Sequence, residues 1–315
     1  MATTMKIDNN TIEPGETKTV NYDIARLPSG MMITMPIHVY RSKVDGPTLL
    51  LSGGLHGDEV NGIETIRRMI SEKVFDNLIS GTVIAVPILN LFGFLNHARE
   101  VPDGKDVNRS FPGSANGSLA SRVAYRLTKN ILPLIDYGID FHTGGAQRTN
   151  YPQVRFSSSD KNSKLIADAF GAPYTLNSNL IPKSLRHQSS KMGKPIIVYE
   201  GGESLRIDEF SIEEAIEGSK RVMAYLGMIK DKFDEKESVF CKDTTWVRAQ
   251  RSGIFKPFVI SGEQVQKGQP IGVINDPFGE YEIKVISNAT GHMIGHNNTP
   301  VVLQGDALFH IGIEK

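Results

Sequence analysis

The chain has 315 residues, 39% of them apolar, with 30 glycines and 16 prolines; that is enough to bury a core and fits a loop-rich α/β protein of two domains, or one large domain with an appendage. Lys and Arg together number 35, as do Asp and Glu, so the formal charge is zero and nothing argues for a nucleic-acid or membrane partner. The single Cys241 excludes an internal disulfide and any cysteine-rich metal cluster, points to a reducing compartment, and leaves His, Asp and Glu to hold any metal.

The N-terminal stretch MATTMKIDNN lacks the apolar centre of a signal peptide, and no run approaches the roughly 18 apolar residues of a membrane helix, so the cytoplasm is the expected location. Residues 17–23 and 31–41 alternate well enough to predict strands of a leading hairpin in a central sheet. The span 15–42 is also a candidate to pack with the C-terminal domain. His38, inside the second run, reads as an ordinary strand residue. A short apolar run, 48–51, then enters a glycine-rich turn that presents His56, Asp58 and Glu59 ahead of a helix predicted over 60–75 from Ile63, Ile66, Ile70 and Val74. Residues 82–89 are continuously apolar, as expected for a strand covered on both faces. Strand, helix, strand in this order is a βαβ unit, which predicts a mixed sheet with a parallel centre.

Residues 90–117 are rich in Gly, Pro, Asn and charge without periodicity, a loop length unusual in a compact domain unless it is functional. A helix is predicted over 118–134, a strand over 137–141 ending at His142, a short strand over 154–157, a helix over 159–170 and a strand over 172–176. Residues 181–194 read as a loop or lid, 195–199 as a buried strand halting at Glu200, 207–229 as a long helix and 230–243 as a charged linker. The expected division is a catalytic domain over 1–235 and a small β domain over 236–315. This tail has short strands, frequent glycines and a faint internal repeat, Gly253, Val265, Gly268 and Ile271 being echoed by Gly291, Val302, Gly305 and Leu308. Two related hairpin halves suggest a small barrel or sandwich.

His56 and Glu59 have the spacing His-x-x-Glu, which lets one turn of backbone aim an imidazole and a carboxylate at a common point. Such a pair is half of a catalytic zinc site of the His₂Glu kind; a polar loop capping the next helix through Asp58 or Glu59 is the plainer alternative. His142 follows a strand and can supply the third ligand. In open α/β sheets, ligands bind at the carboxyl ends of the strands, where Glu200 also arrives. Glu200 is the candidate general base, favoured over Glu203 because it directly ends its strand. The long loop adds Arg99, Asn108 and Arg109, groups suited to gripping a substrate carboxylate and to stabilising an oxyanion, or else a solvated surface. Arg155, Arg186 and His187 are further candidates for substrate contact.

Four motifs in order, His56-Gly57-Asp58-Glu59, the run from Asp106 through Asn108 and Arg109 to Gly113, Asp140-Phe141-His142-Thr143-Gly144 and the strand-terminal Glu200, resemble the succinylglutamate desuccinylase/aspartoacylase family, relatives of zinc carboxypeptidases. The similarity runs over about residues 39–225. It implies a carboxypeptidase-like α/β/α fold with a smaller β domain behind it, and one Zn²⁺ per chain held by His56, Glu59 and His142. It further implies Glu200 as general base, Asn108 and Arg109 on the substrate carboxylate, and Arg99 on the scissile carbonyl. The reaction implied is hydrolysis of a small N-acyl amino acid or related amide to a carboxylate and a free amine. A metallocarboxypeptidase acting on short peptides is the alternative with the same machinery, and a non-catalytic binding protein of this fold is a third reading. The tail resembles a biotinyl/lipoyl-type barrel, but where such carriers bear a modified lysine this chain has Phe278, and Lys284 lies too far along, which leaves a structural or pocket-shielding role.

Overall fold

The computed structural model describes residues 4–27, 29–234 and 236–314. At its centre the strands Thr48–Ser52, Tyr137–Gly144 and Ile196–Glu203 run parallel, with Thr82–Val86 parallel on the outer side of Thr48–Ser52. Parallel strands need crossovers that lay helices on the sheet, so both faces are covered and the strands are mostly apolar up to the carboxyl ends that carry Asp140, His142 and Glu200. Leu50 faces one hydrophobic cluster, with Ile84, Val123 and Leu127; Leu49 and Leu51 face the other, with Ile66, Met69, Phe141, Ile166 and Val222. This alternation along three residues is the period of a strand read from both sides. Full burial of each such side chain stabilises the fold by roughly 1.5–3 kcal/mol.

The helix Leu119–Asn130 covers the first face; Val60–Ser71, Lys161–Phe170 and Glu209–Tyr225 cover the second. Three of them start on side-chain caps: Ser118 accepts from the Ser121 amide, Asp160 from the Asn162 and Ser163 amides, and Asp208 from the Ser211 amide. Gly171 ends the Lys161–Phe170 helix in the left-handed region, at φ 62°. Among the described residues, no helix is long and apolar enough to cross a membrane.

The leading hairpin forms as predicted, Thr17–Arg26 against Met32–Arg41, and joins the sheet through Thr82–Val86. Among the described residues it pairs with no strand of the C-terminal segment. The sheet continues on its other side with Arg148–Phe156, then Gly291–Asn297, Ala307–Ile313 and Asp243–Arg248. The hairpin therefore sits at the edge opposite the C-terminal strands, because Thr82–Val86 offers it a free side and the tail takes the far one. Thirteen strands make this mixed sheet, and a separate four-stranded antiparallel sheet, Glu282–Ile286, Pro270–Asn275, Gly253–Pro257 and Val301–Val302, closes the tail over its own core of Phe255, Ile271, Leu308 and Phe309.

Three predicted loops contain structure. Leu91–Leu95 is a short helix capped by the Asn90 side chain, and Leu185–Lys191 is a helix capped by Ser184. Neither is long enough, at five and seven residues, for a helical period to be read. The expected linker 230–243 holds the strand Val239–Cys241, which pairs with Tyr174–Asn177 because Cys241 and Ile294 share a small core with Tyr174 and Leu176. Glu235, at the expected domain boundary, and the first three residues of the N-terminal stretch lie outside the described residues.

Candidate active site

The turn after Thr48–Ser52 is shaped by close approach of backbone. Gly54 has φ 59°, and a Cβ at Gly57 would overlap the backbone of Gly93 in the short helix Leu91–Leu95, so only glycine fits at 57. The turn delivers His56 and Glu59 inward, at 3% and 2% exposure, next to His142 at 5%. His56 Nδ1 lies 2.7 Å from Glu59 Oε1, His142 Nδ1 lies 2.7 Å from Glu59 Oε2, and the two Nδ1 atoms are 3.2 Å apart. Ligand atoms of these three residues all fall within 4.8 Å of one another. Glu59 starts the helix Val60–Ser71 without capping it by its side chain, and Asp58 stands apart with its buried Oδ1 unpartnered.

Burial by itself would raise the Glu59 carboxyl, but the His56 and His142 imidazoles hold it well below the usual carboxylate range. Burial would likewise lower His142, yet Asp140 and Glu59 raise it well above the ordinary imidazole value, and Glu59 and Asp106 raise His56 in the same way. Carboxylates thus draw positive charge onto the point where the two Nδ1 atoms face each other. Two imidazole nitrogens and a carboxylate turned to one buried point form a donor set that suits a divalent cation.

Asp140, to which no role is given by the sequence reading, fixes His142. Residues 140 and 142 point to the same face of one strand; Asp140 Oδ2 is 2.8 Å from His142 Nε2, and Ser52 Oγ donates to Asp140 Oδ1 at 2.6 Å. His142 Nε2 is thereby occupied, and Nδ1 is the nitrogen free to bind. The i, i+2 spacing of Asp140 and His142 is the signal that could have found it. Asp106 is the second such residue: it receives Arg99 Nη2 at 3.0 Å and the Asn108 amide at 2.6 Å, and it makes an electrostatic contact at 3.3 Å with His56 Nε2 that lacks hydrogen-bond geometry.

Glu200 pairs in parallel register with His142, so both side chains leave the sheet on the same side. Its carboxylate receives Arg155 Nη1 at 3.0 Å and the Asn150 side-chain amide. Arg155, a candidate substrate contact by sequence, is engaged by Glu200. Arg99 Nη1 sits 3.2 Å from both Glu59 Oε1 and His56 Nδ1. Asn108 accepts the Leu185 amide at 2.9 Å through Oδ1, and Arg109 lies beside it. All of these groups line a cavity of about 340 Å³. Arg186 also lines it, buried against Ser178 and Asn179, whereas His187 does not and instead accepts the Lys183 amide. Trp246 brings the C-terminal segment to the cavity wall.

Residues 45–226 match the model of the succinylglutamate desuccinylase/aspartoacylase catalytic domain. The N-alpha-acetyl-L-2,4-diaminobutyric acid deacetylase of Halomonas elongata is 27% identical over 259 residues, 78% of this chain and 75% of the relative. Among solved structures, a succinylglutamate desuccinylase/aspartoacylase from Rhodobacter sphaeroides superposes with a TM-score of 0.84 at 24% identity, over 95% of this chain and 96% of that one. The product-bound ectoine utilization protein EutE from Ruegeria pomeroyi gives a TM-score of 0.87 at 22% identity, over 98% and 97%. At these identities the structural likeness bears on the fold.

Proposed function

The chain belongs to the succinylglutamate desuccinylase/aspartoacylase family, and from that premise we propose that it is a zinc-dependent hydrolase of the amide bond in a small N-acyl amino acid. The observation that carries this reading is the buried convergence of His56, Glu59 and His142 on one point, with Glu200 beside His142 on the neighbouring strand. Zinc held by these three residues supplies Lewis-acid polarisation of a carbonyl and acidifies water.

The chain's own residues do the rest. Glu200, kept in position by Arg155 and Asn150, takes the proton of the attacking water and returns it to the leaving amine. Arg99 faces the oxyanion that develops on the carbonyl. Asn108, its Oδ1 anchored on the Leu185 amide, and Arg109 hold the carboxylate of the amino acid. A cavity of about 340 Å³ suits a small molecule better than an extended peptide. We read the tail, residues 236–315, as a second unit of biotinyl/lipoyl-like type in a pocket-shielding role. The 85% exposed Phe278 stands at the tip where a carrier would need a lysine.

Amine release from acetylated and succinylated amino acids, measured beside short peptides with the zinc-loaded protein, tests the reading. Acyl amino acids are expected to be the better substrates; cleavage of peptides alone would replace it with the carboxypeptidase reading. Asp140→Asn keeps the shape but removes the charge behind His142, and is expected to weaken zinc binding roughly 10- to 100-fold in competition with a chelator. An unchanged affinity would remove Asp140 from that role.

A further inference from the structure

Beside the cavity of the proposed chemistry lies a second, of about 460 Å³, and the two share Arg155, Ser178 and Trp246 as lining. Asn177 and Asn179 line the second cavity on one side, and Lys242, Asp243 and His310 bring the tail to it on the other. The sheet sets His310 there. His310 pairs with Trp246 on one side and Gly295 on the other, and Gly295 pairs with Asn150. Partners across strands share a face, so Trp246 and His310 leave the sheet on the side where Asn150 reaches Glu200.

The His310 imidazole lies flat on the Trp246 indole, with ring centroids 4.1 Å apart and planes 6° from parallel. It is 6% exposed, and neither ring nitrogen has a partner among the described residues. Burial, with Arg155 and Arg148 nearby, lowers its pKa to about 3, so the ring is neutral and offers one donor and one acceptor. Leaving both idle costs free energy that a hydrogen-bonding ligand recovers. At the rim, Lys242 and Asp243 are exposed, and neither has an ion-pair partner among the described residues. Opposite charges on adjacent residues match the ammonium and carboxylate of an amino acid.

Hydrolysis makes such a molecule in a place that accommodates it poorly. As the C–N bond breaks, the acyl carbon takes the hydroxyl of water and the nitrogen takes its proton; the new carboxyl group then gives its own proton to the amine. A neutral amide thus becomes a carboxylate and an ammonium ion. Five arginines line the first cavity, and its three carboxylates are all engaged: Glu59 by the two imidazoles, Asp140 by His142 and Ser52, and Glu200 by Arg155 and Asn150. None is free to receive the new ammonium group, whereas Asp243 is.

We propose that the second cavity is a binding site for the free amino acid that hydrolysis releases, with its ammonium group on Asp243, its carboxylate on Lys242 and a polar side chain directed to His310. Trp246 is the partition that the product passes. The inference rests on the hydrolase reading, since that reaction is what creates the amine.

Trp246 is the chain's one tryptophan, so its fluorescence reports on the partition. The full-length, zinc-loaded protein is first assayed with N-acetylaspartate, N-succinylglutamate and N-acetyl-2,4-diaminobutyrate to find which it hydrolyses fastest. The zinc-loaded Glu200→Gln variant, saturated with that compound so that the first cavity is filled, is then titrated with the matching free aspartate, glutamate or 2,4-diaminobutyrate. One equivalent is expected to bind by calorimetry, with a saturable change in Trp246 emission. Adding Asp243→Asn, or replacing the amino acid by its 2-hydroxy counterpart, should weaken binding about tenfold, the loss of a charge-assisted hydrogen bond. Asp243→Glu should keep most of the affinity, and His310→Phe should lower it with every charge in place. No binding to the substrate-filled protein, equal binding of the 2-hydroxy acid, or an affinity untouched by D243N would overturn the proposal while leaving the hydrolase reading standing. Release of amine from none of the three compounds would overturn both.

Discussion

Replacing Glu200 with Gln is expected to leave zinc content near one equivalent and to lower turnover by roughly 10²- to 10⁴-fold, the span that a positioned general base contributes. The side chain of Glu200 is 15% exposed and its carboxylate is fixed by Arg155 and Asn150. Gln nearly preserves its volume and its place in the strand, so the substitution removes the proton acceptor and little else. It also deprives Arg155 of its partner, which could disturb folding by itself; a melting temperature within a few degrees of the unmodified protein shows that it has not. Activity close to that of the unmodified protein would take Glu200 out of the mechanism. Loss of zinc in this variant would make it a ligand rather than a base.

The second large effect concerns the ligands. His142→Ala is expected to abolish zinc retention and to lower turnover by about 10³-fold or more, equivalent to roughly 4 kcal/mol of transition-state stabilisation. Because this substitution also leaves Asp140 buried without its imidazole, chelation of the unmodified protein is the cleaner companion. A ligand that binds only the folded state adds about 4 kcal/mol when present at a thousandfold excess over its dissociation constant. Stripping the metal should therefore lower the melting temperature as well as the activity, and zinc should restore both. Full zinc content in H142A, or activity indifferent to chelation, would refute the ligand assignment.

The parts of this molecule legible in the sequence are those fixed by local pattern. The alternation in Met32–Arg41 and the apolar runs of Thr48–Ser52, Thr82–Val86 and Ile196–Glu203 announce strands directly, and polar residues at the ends of such runs point to a site. His56, Glu59, His142 and Glu200 were legible on these grounds. What was not legible depends on contacts distant in sequence. The Leu91–Leu95 helix is held by one asparagine cap and by the glycine contact with the turn at Gly57; neither leaves a periodic trace. The pairing of Gly291–Asn297 with Arg148–Phe156 joins residues some 150 apart in sequence, and no local signal names a strand's neighbour. Asp140 is not legible because it lies inside the strand Tyr137–Gly144, where a carboxylate looks like a defect until its imidazole partner is seen across the i, i+2 step.

That distant pairing gives the tail a part in the chemistry without lending it a reactive group. Gly295 and His296 pair with Asn150 and Thr149, and Asn297 with Arg148, so the tail splints the few residues from which Asn150 reaches Glu200 and Arg148 enters the cavity. If the chain were cut after the family-matching segment, that short stretch would become a sheet edge with unpaired backbone, prone to fraying and to recruiting foreign strands. Glu200, the proposed base, would then lose a brace while His56, Glu59, His142 and Glu200 all remained in the polypeptide. Competence is thus a property of the undivided chain, and a variant in the tail that loosens this splint would look in an assay like an active-site mutation.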